Sequence, residues 1–317
     1  MSRPFAGLRV LLVASFNRRY HQIGYDLAAA LRGLGCEVVL QEDSRRWVYS
    51  VWKIPLEQRL ERAFRRFPAD VVLVYKGERL EPTAISRLRR LTQARWANWF
   101  PDDPHLVELS LRLAPAYDAF FTHDSWSAGR HRALGHPTHY LGFGVDPVRL
   151  RPVAVPERWR SSLAFIGTRD APRAYVLDAV SDLGLSAWGP GWPRGPLYGR
   201  QLLRALAGAE IGLNVHQQIG PVGEPERYGH GANLRVFELA AVGTPQLCDA
   251  KADIARHFTP DREIVLYRSI GELREQVGRL REDPKLRGEL AAAARRRVLQ
   301  EHTWGHRLEE LLGVTLQ

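Results

Sequence analysis

Two adjacent carboxylates, Asp102 and Asp103, follow an apolar segment of the chain and lie between two prolines. A carboxylate placed beside a substrate hydroxyl can act as a general base. We rank Asp103 slightly above Asp102 for this role, and His21, in the polar turn 17–22, is a third candidate. The competing interpretations are structural: one aspartate caps a helix that begins near Pro104, and His21 marks the entry to another helix.

A second set of polar residues lies at two glycine-containing turns in the second half of the chain. It consists of Gly167, Arg169, Asn233, Arg235 and Glu238. Arginine can bind a phosphate through two parallel hydrogen bonds, and a carboxylate can hold the hydroxyls of a ribose. These residue types therefore favour a nucleotide as ligand. The competing interpretation is a surface arginine on a first helical turn and a glutamate that stabilises the start of a helix.

The elements that must position these residues are strands that alternate with helices. Apolar runs predict strands at 8–16, 36–41, 69–77, 95–100, 119–124, 162–167, 185–189, 210–216 and 244–249. Helical spacing of apolar residues predicts helices at 24–35, 56–67, 82–95, 105–116, 173–184, 198–209, 232–243 and from 270 to about 300. This alternation is typical of an α/β fold in which helices cover both faces of a parallel sheet.

The chain contains two such series. Three prolines disfavour regular structure in 145–159, so we predict a linker at 147–158. The predicted domains are doubly wound and Rossmann-like, at 1–146 and 159–300, and 301–317 is a C-terminal helix. Ligands of such sheets bind beyond the carboxyl ends of the strands, where helices begin. We therefore expect both sets of polar residues to face a cleft between the domains.

The composition is that of a globular protein. Of the 317 residues, 45% are apolar, and no apolar run approaches the ~18–20 residues of a membrane span. The only two cysteines, Cys36 and Cys248, argue against a disulfide framework and against a cysteine-based zinc site. The N-terminal segment lacks the features of a signal peptide, so we expect a cytoplasmic protein.

The formal net charge is +10, and only four of the 45 basic residues are lysines. A GC-rich genome explains this excess of arginine, and an anionic partner is the functional alternative. The charge is spread along the chain without a nucleic-acid-binding motif or a basic stripe, so nucleic acid is not an expected partner. Segment 56–67 combines an apolar stripe with a basic face. A solvated helix is its first interpretation, and contact with a membrane surface is the second.

Six segments resemble the CgeB-like (spore maturation protein) glycosyltransferases in their order and spacing. In the second half they are NLRVFELAAVGTPQLCD (233–249), PDREIVLYRSIGEL (260–273) and EHTWGHRLEELL (301–312). In the first half they are 16–35, 99–104 and 121–152. The resemblance covers nearly the whole chain and implies a GT-B fold, in which two Rossmann-like domains face each other across a cleft.

The same resemblance implies that the C-terminal domain binds a nucleoside-diphosphate sugar and that no metal or other cofactor takes part. Glu238 matches the glutamate that holds the donor ribose in related retaining enzymes. Arg169 and Arg235 are the candidates that would bind the diphosphate. The N-terminal domain is then the acceptor side.

Two positions leave alternatives open. The loop WGPGW (188–192) lies where the family has a loop near the nucleobase, so Trp188 or Trp192 either stacks on the base or packs within the turn. His230 occupies a donor-site position at which related retaining enzymes carry a glutamate near the sugar. The identity of the sugar and the stereochemistry of transfer, retaining or inverting, therefore stay open.

The predicted function is transfer of a sugar from a nucleoside-diphosphate sugar to a hydroxyl of an unidentified acceptor. The alternative is a protein that binds a nucleotide sugar or a glycan without catalysis, because a fold does not guarantee an activity. The predicted partners are the nucleotide sugar and the acceptor, and the oligomeric state stays open. The resemblance also implies that the C-terminal helix crosses back to the N-terminal domain.

Overall fold

Parallel strands alternate with helices throughout the computed structural model, which describes residues 3–16, 22–43, 54–218 and 229–317. The chain folds as two compact units, one of Met1–Gly142 with Trp304–Gln317 and one of Phe143–Thr303. Each unit contains one sheet, and all neighbouring strands within it are parallel. The predicted α/β architecture with two doubly wound parallel sheets is therefore confirmed.

The sheet of the first unit has the strand order β2-β1-β3-β4-β5-β6. Its strands are β1 (Arg9–Ala14), β2 (Glu37–Glu42), β3 (Val71–Tyr75), β4 (Arg95–Phe100), β5 (Ala119–Thr122) and β6 (Thr138–Tyr140). The connecting helices in the described residues are α1 (Ile23–Gly33), α2 (Leu56–Arg66), α3 (Pro82–Arg89), α4 (Val107–Leu113) and α5 (Ser125–Ala133).

The sheet of the second unit has the strand order β11-β10-β9-β7-β8. Its strands are β7 (Ser161–Ile166), β8 (Leu185–Trp188), β9 (Ala209–Asn214), β10 (Gln246–Asp249) and β11 (Val265–Tyr267). The helices are α6 (Ala171–Asp178), α7 (Gly199–Ala207), α8 (Leu234–Val242), α9 (Ile270–Glu282) and α10 (Pro284–Glu301). The order reverses between β7 and β9, so the carboxyl ends of these two strands form the switch point at which such sheets bind ligands.

The central strands of the first sheet are buried on both faces. All residues of 10–14 and of 71–74 are without solvent exposure. Such continuous apolar runs are typical of parallel strands that helices cover on both sides. The last helix, α11 (Trp304–Thr315), belongs to this unit, where Trp304 packs edge-on against Trp99 with ring centroids 5.5 Å apart.

The apolar stripe of α2 forms part of this cover. Leu60 has no solvent exposure, and the ring of Phe64 packs edge-on against Trp96 at a centroid distance of 5.8 Å. The stripe in segment 56–67 is thus used in the core of the unit, which supports a solvated helix rather than contact of the stripe with a membrane. Among the described residues, no helix combines the length and the apolar character needed to cross a bilayer.

Most predicted elements lie within a few residues of the observed ones, and the main exceptions have local causes. The helical region from 270 to about 300 is two helices, because the Asp283 carboxylate caps α10 by accepting the Leu286 N–H (2.8 Å) and Pro284 begins that helix. β6, β11 and α5 were not predicted. A strand of three residues is too short to show a period.

We expect Leu60→Ala to lower the free energy of unfolding by about 2–5 kcal/mol, because deleting a fully buried leucine leaves a cavity. Leu91, which is 55% exposed, provides the matched control, and Leu91→Ala should cost less than about 1 kcal/mol. Chemical denaturation followed by circular dichroism measures both. Equal losses in the two variants would contradict the assignment of α2 to the core.

Candidate functional site

At the carboxyl edge of the second sheet, the turn after β7 and the turn after β8 form one hydrogen-bonded unit. The Gly167 N–H donates to the Trp188 carbonyl (2.9 Å), and the Arg169 N–H donates to the Pro190 carbonyl (2.9 Å). The Trp192 indole N–H donates to the Gly167 carbonyl (3.0 Å). Gly189 makes this approach possible: its φ is +141°, and a Cβ there would lie 1.9 Å from the Gly167 oxygen.

The N-terminus of α8 is tied to the ends of β7 and β9. Asn233 caps the helix, since its Oδ1 accepts the Val236 N–H (3.3 Å). The side-chain amides of Asn233 and Asn214, at the end of β9, exchange two hydrogen bonds of 3.0 Å each. Arg235 Nε donates to the carbonyl of Ile166, the last residue of β7 (3.2 Å). The first turn of α8 therefore lies beside Gly167.

Arg235, in this first turn, forms an ion pair with Glu238, one turn further along the helix. The Arg235 guanidinium donates to Glu238 Oε2, and the two side chains are 20% and 8% exposed. A carboxylate oxygen can accept more than one hydrogen bond, so Glu238 can also accept from ligand hydroxyls. The pair brings a fixed cation and a fixed carboxylate to the edge of the sheet.

Two arginines near Gly167 have different surroundings. Arg173 is largely buried: its Nε donates to the Val215 carbonyl (3.0 Å) and its NH1 to the Thr168 carbonyl (3.1 Å). Burial lowers the pKa of its guanidinium. Arg169 is exposed and stacks over the Trp192 ring at 5.4 Å, and it has no carboxylate partner among the described residues. Arg173 supports the loop, whereas Arg169 is available to an anion.

The two tryptophans of the 188–192 loop are largely enclosed. Trp188 is 4% exposed, and the Arg194 guanidinium lies over its ring at 5.1 Å. Trp192 packs edge-on against Phe165 at a centroid distance of 6.0 Å. These contacts match the packing interpretation of the loop, and stacking of a base on Trp188 would require Arg194 to move.

A cavity of about 570 Å³ opens at the same edge of the sheet, beyond β9, β10 and β11. Tyr175 of α6, which is 53% exposed, presents an aromatic ring to it. Of the predicted donor residues, only His230 lines this cavity, together with Asp249 and Lys251. The His230 carbonyl accepts the Asp253 N–H (3.0 Å). His230 thus faces a cavity that Gly167, Arg235 and Glu238 do not line.

A buried histidine that the sequence analysis did not single out joins β9, β10 and α8. Asp249 Oδ1 accepts from both the backbone N–H (3.0 Å) and the Nδ1 (2.7 Å) of His216. His216 Nε2 accepts the Asn233 N–H (3.0 Å). The sequence contained a signal for this contact, because His216 and Asp249 stand at the ends of adjacent strands. The sequence analysis relied instead on the charged residues at the start of α8.

His216, Cys248 and Asp249 are residue types that can ligate a metal, and their ligand atoms lie within 4.8 Å of one another. Hydrogen bonds, however, occupy both ring nitrogens of His216. Burial and the charge of Asp249 raise the pKa of the Cys248 thiol well above its ordinary value. The two hydrogen bonds of the His216 ring favour a hydrogen-bonded network over a set of metal ligands.

In the first unit, the turn after β4 places its two carboxylates differently. Asp102 Oδ2 lies 2.7 Å from Lys76 Nζ, and its side chain is 36% exposed. Asp103 is 1% exposed, and its Oδ1 accepts from the Ser110 hydroxyl (2.7 Å). Ser110 Oγ is in turn 3.1 Å from His131 Nε2. Asp102 therefore reaches solvent, whereas Asp103 belongs to a buried cluster.

The competing interpretation of this turn was that one of its aspartates caps the next helix. α4 begins after Leu106 without a side-chain cap at its N-terminus, so neither Asp102 nor Asp103 caps this helix. Asp124 does cap the next one, since its Oδ1 accepts the Ser127 N–H at the start of α5 (2.7 Å). His21 lies outside the described residues.

The buried cluster predicts a pH dependence of stability. Burial and the charges of Asp124 and Asp102 raise the pKa of Asp103 from about 3.8 to about 6, against the hydrogen bond from Ser110. Because the folded protein then binds this proton more tightly than the unfolded chain, the stabilisation is complete below about pH 4 and is lost as the pH rises through about 6.

We therefore expect Asp103→Asn to become more stable relative to the wild type as the pH rises. The gain in the difference of unfolding free energies between pH 4 and pH 8 should be about 2–3 kcal/mol, at about 1.4 kcal/mol per pKa unit. Urea denaturation over this range measures it. A difference that does not change with pH would contradict a buried Asp103.

Comparisons with known proteins extend these observations. Residues 171–313 match the family described as "Glycosyl transferase-like". A search of curated proteins gives no match. Sucrose-phosphate synthase from Thermosynechococcus elongatus has a similar structure, with a TM-score of 0.67 and 13% identity over 98% of this chain and 97% of that chain.

Two further solved structures are similar over almost their full length. AviGT4, a glycosyltransferase involved in avilamycin A biosynthesis, has a TM-score of 0.66 and 18% identity, with coverage of 98% of this chain and 97% of that chain. Anabaena HepE in complex with UDP-glucose has a TM-score of 0.66 and 12% identity, with coverage of 96% and 99%. The predicted GT-B fold is thereby confirmed. The family match thus covers the region 171–313, and the solved structures show that this chain shares their fold.

Proposed function

We propose that the chain transfers a sugar from a nucleoside-diphosphate sugar to an acceptor hydroxyl, with the donor nucleotide bound at the carboxyl edge of the second sheet. One observation carries the proposal: Arg235, in the first turn of α8, bonds the end of β7 beside Gly167 and pairs with the Glu238 carboxylate one turn further along the helix. This edge is the switch point of a doubly wound sheet, where nucleotides bind.

The polar groups at this edge suit the parts of a nucleoside diphosphate. The N-terminus of α8 offers backbone N–H groups without intrahelical acceptors, and the exposed guanidinium of Arg169 adds a positive charge. Both would stabilise the negative charge that develops on the departing diphosphate. Glu238 would accept the ribose hydroxyls while Arg235 holds its carboxylate in place.

The identity of the donor, the subfamily and a metal-independent reaction are parts of the same proposal. HepE was solved with UDP and with UDP-glucose, so UDP-glucose is the first donor to test. The assignment to the CgeB-like glycosyltransferases is supported by the six segments described above. We propose a reaction that needs no metal, with nucleotide sugar and acceptor as the only substrates.

On the acceptor side, we propose Asp102 rather than Asp103 as the general base. The Asp102 carboxylate is 36% exposed and is held by Lys76, whereas Asp103 is enclosed with Ser110. An inverting transfer needs such a base beside the acceptor hydroxyl. A retaining transfer can proceed without a protein base, so the effect of replacing Asp102 distinguishes the two routes.

The donor site is tested by calorimetric titration with UDP and UDP-glucose. We expect Arg235→Ala and Glu238→Gln to weaken binding about 10- to 100-fold, since a hydrogen bond to a charged group contributes about 1.5–3 kcal/mol. Arg279→Ala is the matched control, because Arg279 is exposed in the last turn of α9. Equal affinity in all four proteins would refute the donor site.

Turnover is tested by release of UDP from UDP-glucose, with water or a panel of sugar acceptors, in wild type, Asp102→Asn and Asp103→Asn. An inverting enzyme that uses Asp102 should lose about 10²- to 10⁴-fold in kcat in Asp102→Asn and much less in Asp103→Asn. The anomer formed, read by NMR, checks the stereochemistry. Tight UDP binding without turnover on any acceptor would favour the non-catalytic alternative.

A further inference from the structure

His216 is a buried residue between the two strands and the helix that form the candidate donor site. It is 5% exposed and follows β9, whereas its partners belong to β10 and to the residue that caps α8. It does not line the cavity beside these strands. A role through other residues is therefore indicated, rather than contact with a substrate.

The hydrogen bonds fix the tautomer of the His216 ring. Asp249 Oδ1 can only accept, so Nδ1 carries the proton that it donates over 2.7 Å. Nε2 is then the acceptor for the Asn233 N–H at 3.0 Å. A backbone N–H donates only, so the arrangement requires an unprotonated Nε2.

Asn233 is the residue through which this network reaches the site. Its N–H is held by His216, its Oδ1 accepts the Val236 N–H, and its amide pairs with Asn214. These contacts set where the first turn of α8 begins. Arg235 lies two residues further on, so its position at the end of β7 depends on the same anchor.

We infer that His216, oriented by Asp249, is a positioning residue that anchors the N-terminus of α8 in the conformation that binds the diphosphate of the donor. The anchoring rests on the hydrogen bonds alone, and the donor part rests on the proposed function. No atom of His216 is assigned to the reacting groups.

Two substitutions separate the two hydrogen bonds of the ring. His216→Asn places an amide where Nδ1 lies, so it keeps a donor for Asp249 but offers no acceptor to the Asn233 N–H. His216→Gln extends an amide oxygen to the position of Nε2, so it restores that acceptor. The two variants are otherwise similar in polarity, which makes them a matched pair.

The first readout needs no ligand. We expect amide hydrogen exchange in the first turn of α8 to be at least about tenfold faster in His216→Asn than in wild type, and close to wild type in His216→Gln. In wild type at neutral pH, ¹⁵N NMR should show the His216 proton on Nδ1. A proton on Nε2, or equal exchange in all three proteins, would overturn the anchoring. The NMR result does not depend on whether either variant folds.

The second readout is UDP binding by calorimetry. We expect about tenfold weaker binding in His216→Asn and a change of less than about threefold in His216→Gln, with similar melting temperatures for the two variants. Equal loss in both variants would mean a role in overall stability and would overturn the inference. Faster exchange in His216→Asn with no UDP binding by wild type would refute the donor part and the proposed function while the anchoring stands.

Discussion

In a parallel sheet, all strands end at one edge, and the backbone groups beyond the last ladder bond need other partners. In the second unit, arginine side chains supply several of them. Arg235 bonds the carbonyl of Ile166, and Arg173 bonds those of Val215 and Thr168. Because these donors are cationic, the contacts that complete the backbone also concentrate positive charge at this edge. The candidate donor site depends on these two effects of the same arginines.

Burial divides residues of the same type into different roles. Arg173 and Arg169 stand four positions apart, yet one is enclosed against backbone carbonyls and the other stacks on Trp192 in solvent. Asp102 and Asp103 are adjacent, and only Asp103 is enclosed. A group that loses solvent needs hydrogen-bond partners within the protein: Arg173 has backbone carbonyls, and Asp103 Oδ1 has the Ser110 hydroxyl. The exposed member keeps its charge available to a ligand.

In the second unit, the residue that caps α8 is itself held by other side chains. Asn233 is a common type of cap, but its own N–H is bound by His216, which Asp249 orients in turn. Three residues from two strand ends and one helix start are thereby joined into one network. Such a network makes the start of α8 a defined structure, because each member limits the movement of the next.

Most of the fold followed from local pattern. Apolar runs and helical spacing placed nearly all strands and helices, since both periods are properties of the backbone. The misses were local as well: β6 and β11 are each three residues long, and Pro284 divided a region that the spacing predicted as one helix. The order of the strands, in contrast, depends on pairings between segments far apart in the chain, as β7 with β9 shows.

The sequence by itself determined the alternation of elements, the glycine-containing turns and the residue types at the start of α8. Only the tertiary structure decided that Arg235 reaches the end of β7, that Asp103 is enclosed while Asp102 is not, and that His216 reaches Asn233. The physical reason is the separation along the chain of the residues that determine each feature. A period is visible within ten residues, whereas burial and hydrogen-bond partners depend on segments that the folded chain brings together from far apart.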